Sequence, residues 1–247
     1  MDVGRSFTDA QWAFLRAELG TLPDYSANRR LKLALSLLYG TGLRISEAVA
    51  ARVADLAWQT YRDDASGSAV EVWELTVIGK GGKERYVPVS PAIVAELQSY
   101  LASRGLAAEL GGVPREAYLL GRAVDVAERA SWSPAARIPV DRLGGIGTAT
   151  LHDQLKAYFT ACAGKLQATD PASALRLAKA SAHWMRHTHG SHAMAAGMDI
   201  KVIQKNLGHA SLATTTRYTT SEARRRATET AKLWGAYAPG FGQSPTK

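Results

Sequence analysis

Six polar residues, in one order, are the ones whose types and spacing could do chemistry. They are Arg44 after Thr41-Gly42-Leu43, Lys80 inside Gly79-Lys80-Gly81-Gly82, the pair His183 and Arg186, His209 after Gly208, and Tyr218 nine residues further on. A phosphodiester carries negative charge on two non-bridging oxygens, and that charge grows as a fifth oxygen approaches phosphorus. Two guanidiniums can fork onto those oxygens with fixed geometry. A phenolic oxygen can attack and hold the phosphoryl group as a covalent ester. The leaving sugar oxygen needs a proton, which a positioned lysine or histidine can give. The arginines would do the electrostatic work that Mg²⁺ does elsewhere, so neither a metal nor any other cofactor is expected.

Taken singly, each residue has a plainer reading. Arg44 could pair with Glu47, Lys80 could be an exposed turn charge, His183 a half-buried helix residue and Tyr218 a packing aromatic. The combination and its order carry the functional reading. Tyr218 adds one local hint, because the Thr-rich stretch TTTRYTT gives it no apolar reason to be there. Zinc is the competing use of His183, His187, His189, His192 and His209. The H-E-x-x-H arrangement is absent, no cysteine is close, and Arg186 would repel a cation. His189 and His192 read as solvent-facing and receive no role.

The elements that must position these residues read mainly as helices. Residues 5–20 suit a short first helix capped by Thr8 or Ser6, with Trp12, Leu15 and Leu19 as its apolar stripe. Residues 27–39 repeat Leu31, Ala34, Leu35 and Leu38 at core-facing spacing, and Gly42 can end that helix in a left-handed conformation. A further helix should start near Ser46 and run to about Val53, and it is followed by a hairpin. Residues 70–78 form its first strand, with Trp73, Leu75 and Val77 on one face. GKGGK is the turn, and residues 84–89 are the second strand, placed at an edge by Pro88. Helical pattern returns over 91–110, around 150–162 and from Asp170, where Pro171 suits a first turn. It continues over 181–196, in IKVIQKNLGH with Ile200, Ile203 and Leu207 on one face, and in SEARRRATETAKLW after Tyr218. His183 and Arg186 fall on one side of their helix, with His187 beside them. Residues 111–149 carry no clear period, and Ser131–Pro134 reads as loop. The expected class is mainly α with a small antiparallel sheet (α+β).

Composition narrows the partners. The 247 residues are 46% hydrophobic and 21% charged, enough for one sizeable core, with a formal net charge of +8. Residues 181–232 hold eight Lys and Arg against three Asp and Glu, together with most of the histidines. A basic excess favours a polyanion such as nucleic acid. No run of eighteen apolar residues and no signal-peptide pattern is present, so a cytoplasmic, nucleoid-associated protein without a membrane partner is expected. Cys162, the one cysteine, reads as a small core residue.

Four stretches in this order resemble the tyrosine recombinase family, also called phage-type integrases. They are TGLRISEAVAARVADL at 41–56, VIGKGGKERYVPV at 77–89, HWMRHTHGSHAMAAG at 183–197 and IQKNLGHASLATTTRY at 203–218. The resemblance implies the family's catalytic-domain fold over 22–235, with a short helix or remnant linker at 1–21, an insertion within 105–148 and a tail at 236–247. It implies Arg44 and Arg186 as clamps on the scissile phosphate and Lys80 as proton donor to the leaving 5′ oxygen. His183 would assist proton transfer at the nucleophile and His209 would hydrogen-bond the phosphate. Tyr218 would form a 3′-phosphotyrosyl bond, with no ATP needed because the ester stores the bond energy. Glu47 resembles a structural partner of the first arginine. Double-stranded DNA is the implied partner, bound as a homotetramer on paired sites, while a DNA-free domain is compatible with a monomer.

The sequence departs from the family at three places. Met185 stands where leucine is usual, a mild apolar exchange. The span from Lys80 to His183 is long. Only a short segment precedes residue 22, where family members usually carry a helical domain that closes around DNA. The sequence is thus either a fragment or a naturally short form, with weaker DNA affinity expected from fewer phosphate contacts. Two other readings share the constellation, a type IB topoisomerase-like relaxing enzyme and a non-catalytic DNA-binding regulator on the same fold. The residues leave open the DNA target and the choice among phage integration, transposition, cassette exchange and dimer resolution.

Overall fold

The computed structural model describes residues 5–62, 69–79, 81–122, 141–208 and 220–237, the last stretch with side chains over 224–236. Helix α1 (Asp9–Gly20) starts at a reciprocal cap, in which Thr8 Oγ1 accepts from the Gln11 N–H and Gln11 Oε1 accepts from the Thr8 N–H. Trp12 and Leu15 are buried and Leu19 packs at the margin. Helix α2 (Ser26–Thr41) is buried further round than one stripe, since Leu33, Leu37 and Tyr39 join the four expected residues in the core. A helix apolar on most sides belongs at the centre of a domain, and α2 packs against helices on two sides and against the sheet. Gly42 ends it at φ 66°, as expected, with its N–H on the Leu38 carbonyl.

Helix α3 (Ile45–Ala50) is shorter than the sequence pattern suggests. Six residues cannot sustain a helix in water. Burial of Ala48 and Val49 and the contacts of Glu47 hold it. The sheet has three antiparallel strands in the order β1 (Leu56–Arg62), β2 (Ala69–Ile78), β3 (Glu84–Val89). The hairpin β2–β3 and the edge position of Pro88 match the sequence reading, with Leu75 opposite Val87 and Val77 opposite Arg85. Strand β1 had no sequence signal, because only Leu56 and Tyr61 of its seven residues are partly buried and no alternation shows. Leu75, Val77, Val87 and Val89 face the main core, while Val72 faces the last helix.

Helix α4 (Pro91–Ser103) stops seven residues before the expected end. Arg104 follows it, buried, and donates to the backbone carbonyls of Tyr118, Arg142 and Gly144. Those bonds tie down the two ends of the long connection, whose Val113, Ala117, Leu119 and Leu120 enter the core. Ser131–Pro134 lies outside the described residues. The remaining helices are α5 (Thr148–Leu166), α6 (Pro171–Lys179), α7 (Ala182–Ala195), α8 (Ile200–Leu207) and α9 (Thr220–Tyr237). Asp170 caps α6 through the Ser173 N–H. Ile200 is 52% exposed, and Val202 takes the core position expected of it, beside Ile203 and Leu207. Helix α9 continues through Gly235 to Tyr237, where the sequence pattern had faded. Among the described residues no helix is long and apolar enough to cross a membrane.

The histidines of α7 correct one expectation. His189 and His192 are buried, not solvent-facing. His189 Nδ1 donates to the Tyr39 carbonyl at 2.7 Å, and His192 Nδ1 meets the Tyr39 hydroxyl at 3.2 Å while its Nε2 meets the Phe7 carbonyl at 3.1 Å. Burial pushes the His189 imidazole down to about 4, with the Tyr39 hydrogen bond opposing and the charge of Arg186 adding to the effect. The folded protein therefore resists a proton that the unfolded chain takes up at the ordinary value of 6.5. The contribution of this one group should be level above about pH 6.5 and fall by about 3 kcal/mol as the pH drops to 4. Urea denaturation from pH 7.5 to 4 should show this slope reduced in His189→Phe. His192, which burial also lowers, would keep part of it.

Candidate active site

The site is built on two helix ends. Helix α2 stops at Gly42 and α8 stops at Gly208, whose φ is 63°. The last carbonyls of a helix lack intrahelical donors and carry the negative end of its dipole. Arg186, buried at 6% exposure on α7, fills both vacancies: Nη1 donates to the Gly42 carbonyl at 2.7 Å and Nη2 donates to the Leu207 carbonyl. The approach is close enough to exclude a side chain at residue 42, where a Cβ would stand 2.6 Å from Leu207 and 2.7 Å from the His189 ring.

Two residues beyond Gly42, Arg44 takes extended backbone at the start of α3. Its N–H donates to Glu47 Oε2 and its Nη1 to Glu47 Oε1, both at 2.8 Å. The Glu47 side chain is 5% exposed, whereas the Arg44 side chain is 39% exposed, so the guanidinium stands at the surface on a buried anchor. A second cation grips the same carboxylate. Arg85 of β3 donates Nη1 to Glu47 Oε1 at 3.0 Å and Nη2 to Oε2 at 2.7 Å, and its Nε to the Asn206 carbonyl at 2.9 Å. Burial works to raise the Glu47 carboxyl, but the hydrogen bonds of Arg85 and Arg44 and the charge of Arg85 hold it below the ordinary value.

Among the described residues the charges do not balance. Three guanidiniums surround one buried carboxylate. Arg186 is brought down to about 10 by burial and then by repulsion from Arg44 and Arg85, with Glu47 opposing. His183, exposed and one turn before Arg186, is lowered by burial, then by Arg186, Arg5 and Arg44. Its ring meets that of His187 edge-on at 4.4 Å, which places both on the side expected. A neutral imidazole beside an uncompensated positive cluster suits proton transfer next to a bound anion. Among the described residues no group of three or more His, Cys, Asp or Glu is arranged to hold a metal ion.

The structure thus brings together Arg44, His183 and Arg186. Lys80, His209 and Tyr218 lie outside the described residues, but Gly79 and Gly208, which precede the first two, do not. A Cβ on Gly79 would stand 3.4 Å from Arg85 Nη1 and 3.9 Å from Glu47 Oε1, and one on Gly208 would stand 3.2 Å from Arg85 Cδ. The backbone before Lys80 and the backbone before His209 therefore converge on Arg85. Sequence reasoning missed Arg85. A signal was present, because strand alternation puts Arg85 in phase with Val87 and Val89, the inward side of β3. An arginine at an inward strand position needs a buried anionic partner.

Comparisons with known proteins identify the family and the fold. Residues 16–225 match the family described as Phage integrase family. A tyrosine recombinase XerC of Myxococcus xanthus is 35% identical over 190 residues, covering 77% of this chain and 50% of the relative. The chain spans about half the length of the curated relatives it matches. Among solved structures, the integrase from mycobacterium phage Brujita shares the fold with a TM-score of 0.55 at 19% identity, over 100% of this chain and 62% of the other. The XerH site-specific recombinase bound to its difH substrate does so with a TM-score of 0.54 at 17% identity, over 91% and 53%.

The Glu47–Arg85 contact makes a clear demand on stability. Arg85→Met should cost about 3–5 kcal/mol by leaving a buried carboxylate with one half-exposed partner. Adding Glu47→Gln should recover a large part of the loss in denaturant titrations. Additive costs would mean that the pair does not act as one unit.

Proposed function

The chain belongs to the phage integrase family, and on that footing we propose that it is the catalytic part of a site-specific DNA recombinase. The observation that carries the reading is the uncompensated cluster of Arg44, Arg85 and Arg186 around Glu47, with His183 at its edge. An anion is what such a cluster lacks, and a backbone phosphate of double-stranded DNA supplies one that guanidiniums can fork.

In this reading Arg44 and Arg186 hold the scissile phosphate. The Tyr218 hydroxyl attacks phosphorus, losing its proton toward His183, and a tyrosyl P–O bond forms. The bond from phosphorus to the 5′ oxygen breaks, and Lys80 protonates that oxygen as it leaves. His209 donates a hydrogen bond to the phosphate. The 3′-phosphotyrosyl ester keeps the energy of the broken bond, so attack by the 5′ hydroxyl of another strand reverses the step without ATP or a metal. Chain connectivity supports the assignment of the three residues whose side chains are not described. Lys80 and His209 each follow, by one peptide, a glycine packed near Arg85, and Tyr218 precedes α9 by two residues. The catalytic unit in this proposal spans 22–235. It works as a homotetramer on paired DNA sites, associated with the nucleoid.

The test uses a pool of nicked duplexes randomised around the cleavage position, so that the 5′ product diffuses away and the protein stays attached. Denaturing electrophoresis should show an adduct on the 3′ end. Tyr218→Phe should reduce it by at least about a thousandfold, and Arg186→Lys by about a hundredfold. An adduct that survives in Tyr218→Phe, or one attached to a 5′ end, would refute the assignment.

A further inference from the structure

Helix α9 is fastened to the arginine site through one asparagine. Asn206, on the last turn of α8, is fully buried, and its polar groups serve two different elements. Its backbone carbonyl accepts from Arg85 Nε of β3. Its side-chain Oδ1 accepts from Arg226 of α9, at 3.0 Å from Nε and 2.7 Å from Nη2, and its Nδ2 donates to Thr230 Oγ1 of α9 at 3.1 Å. Arg226 is 1% exposed and also donates to the Tyr86 carbonyl of β3. A second hold lies at the other end of α8, where the Asp199 N–H donates to Glu229 Oε2 at 2.9 Å and the Asp199 carboxylate accepts from Arg225 Nη2 at 2.5 Å.

This is an unusual way to attach a helix. Adhesion alone is supplied by Ala227 and Trp234 against Val72. A buried guanidinium carries a desolvation cost that an apolar side chain in the same place would not. What it adds is direction, since a forked contact fixes both rotation and register of the helix. From the proposed function above, on which this inference rests, the register matters because Tyr218 lies two residues before Thr220. Two residues span at most about 7 Å, and Arg226 sits six residues into the helix, about 9 Å along its axis. The other end of the same segment leaves α8 at Leu207, whose carbonyl accepts from Arg186. Leu207 and Asn206, neighbours on the last turn of α8, thus meet the phosphate-binding arginine of α7 and the helix that follows Tyr218.

We propose that Asn206 and Arg226 are positioning residues, a clasp that holds the segment bearing Tyr218 in register with the arginine site. Hydrogen bonds run from α9 through Arg226, Asn206, Arg85 and Glu47 to Arg44. A shift of α9 is then felt at the start of α3 as well as at the nucleophile.

The test compares Asn206→Leu, Arg226→Met and the double variant in the full chain. Each single change strands a buried polar partner and can lower folding stability. The double change removes both partners of the central bond together, leaving only the Tyr86 carbonyl and the Thr230 hydroxyl without their donors, and should cost less than the sum of the two single changes and stay folded. In that folded double variant the single-turnover rate of adduct formation on the nicked pool should fall about ten- to a hundredfold, with duplex affinity unchanged. Arg226→Lys should restore part of the rate. Hydrogen exchange reads the clasp without any chemistry: amides of 209–223 should exchange at least about tenfold faster in the double variant, with the rest of the protein unaltered. Unchanged exchange there, or a wild-type cleavage rate in the folded double variant, would overturn the proposal. If wild type forms no adduct at all, the recombinase reading fails, and the exchange experiment still decides whether the clasp holds the segment.

Discussion

A single buried carboxylate organises the site. Glu47 accepts from the backbone and guanidinium of Arg44 and from both ends of the Arg85 fork. Each oxygen of the carboxylate therefore has two donors, and an ion so satisfied can stay charged away from water. Because Glu47 is the third residue of α3 while Arg85 stands on β3, one carboxylate joins the first arginine to the hairpin that carries Lys80. It neutralises only part of the charge around it. The remainder is what makes the cluster fit for an anion.

Helix ends supply the other half of the electrostatics. Carbonyls at the ends of α2 and α8 receive Arg186, and the α8 end also receives Arg85. Backbone carbonyls hold a guanidinium in place without cancelling its charge, unlike a second carboxylate. The glycines at 42 and 208, both with positive φ, let the chain turn away at once so that the carbonyls stay accessible. Buried beneath this layer, His189 stays neutral and packs its ring against Gly42, so no further cation is added under the site.

The long connection between α4 and α5 is built on similar physics for a different end. Arg104 gathers three backbone carbonyls from segments that have no ladder of their own. Irregular chain can be buried only when its polar backbone groups find partners, and one arginine with several N–H groups is an economical source of them. Arg85, Arg186 and Arg226 likewise donate to backbone carbonyls. The basic composition of this sequence is thus partly internal architecture, and the net charge overstates what is left for a polyanion.

By itself the sequence determined the local matters. Helix periods, the Thr8 cap, the helix start at Pro171, the stop at Gly42 and the β2–β3 hairpin all depend on neighbours within a few residues, where side-chain chemistry and backbone sterics act directly. The short motifs that hold Arg44, Lys80, His183, Arg186, His209 and Tyr218 could be read in order for the same reason, since each motif is a local stretch of chain. Strand β1 was not legible, because an exposed edge strand is defined by its partner β2 and not by its own pattern. The burial of His189 and His192 depended on α1 and α2 closing over α7. The roles of Arg85, Asn206 and Arg226 were decided only in the folded chain. Their partners are 20 to 140 residues away, and an arginine or asparagine reads as surface until tertiary packing brings a carboxylate or an orphan carbonyl to meet it.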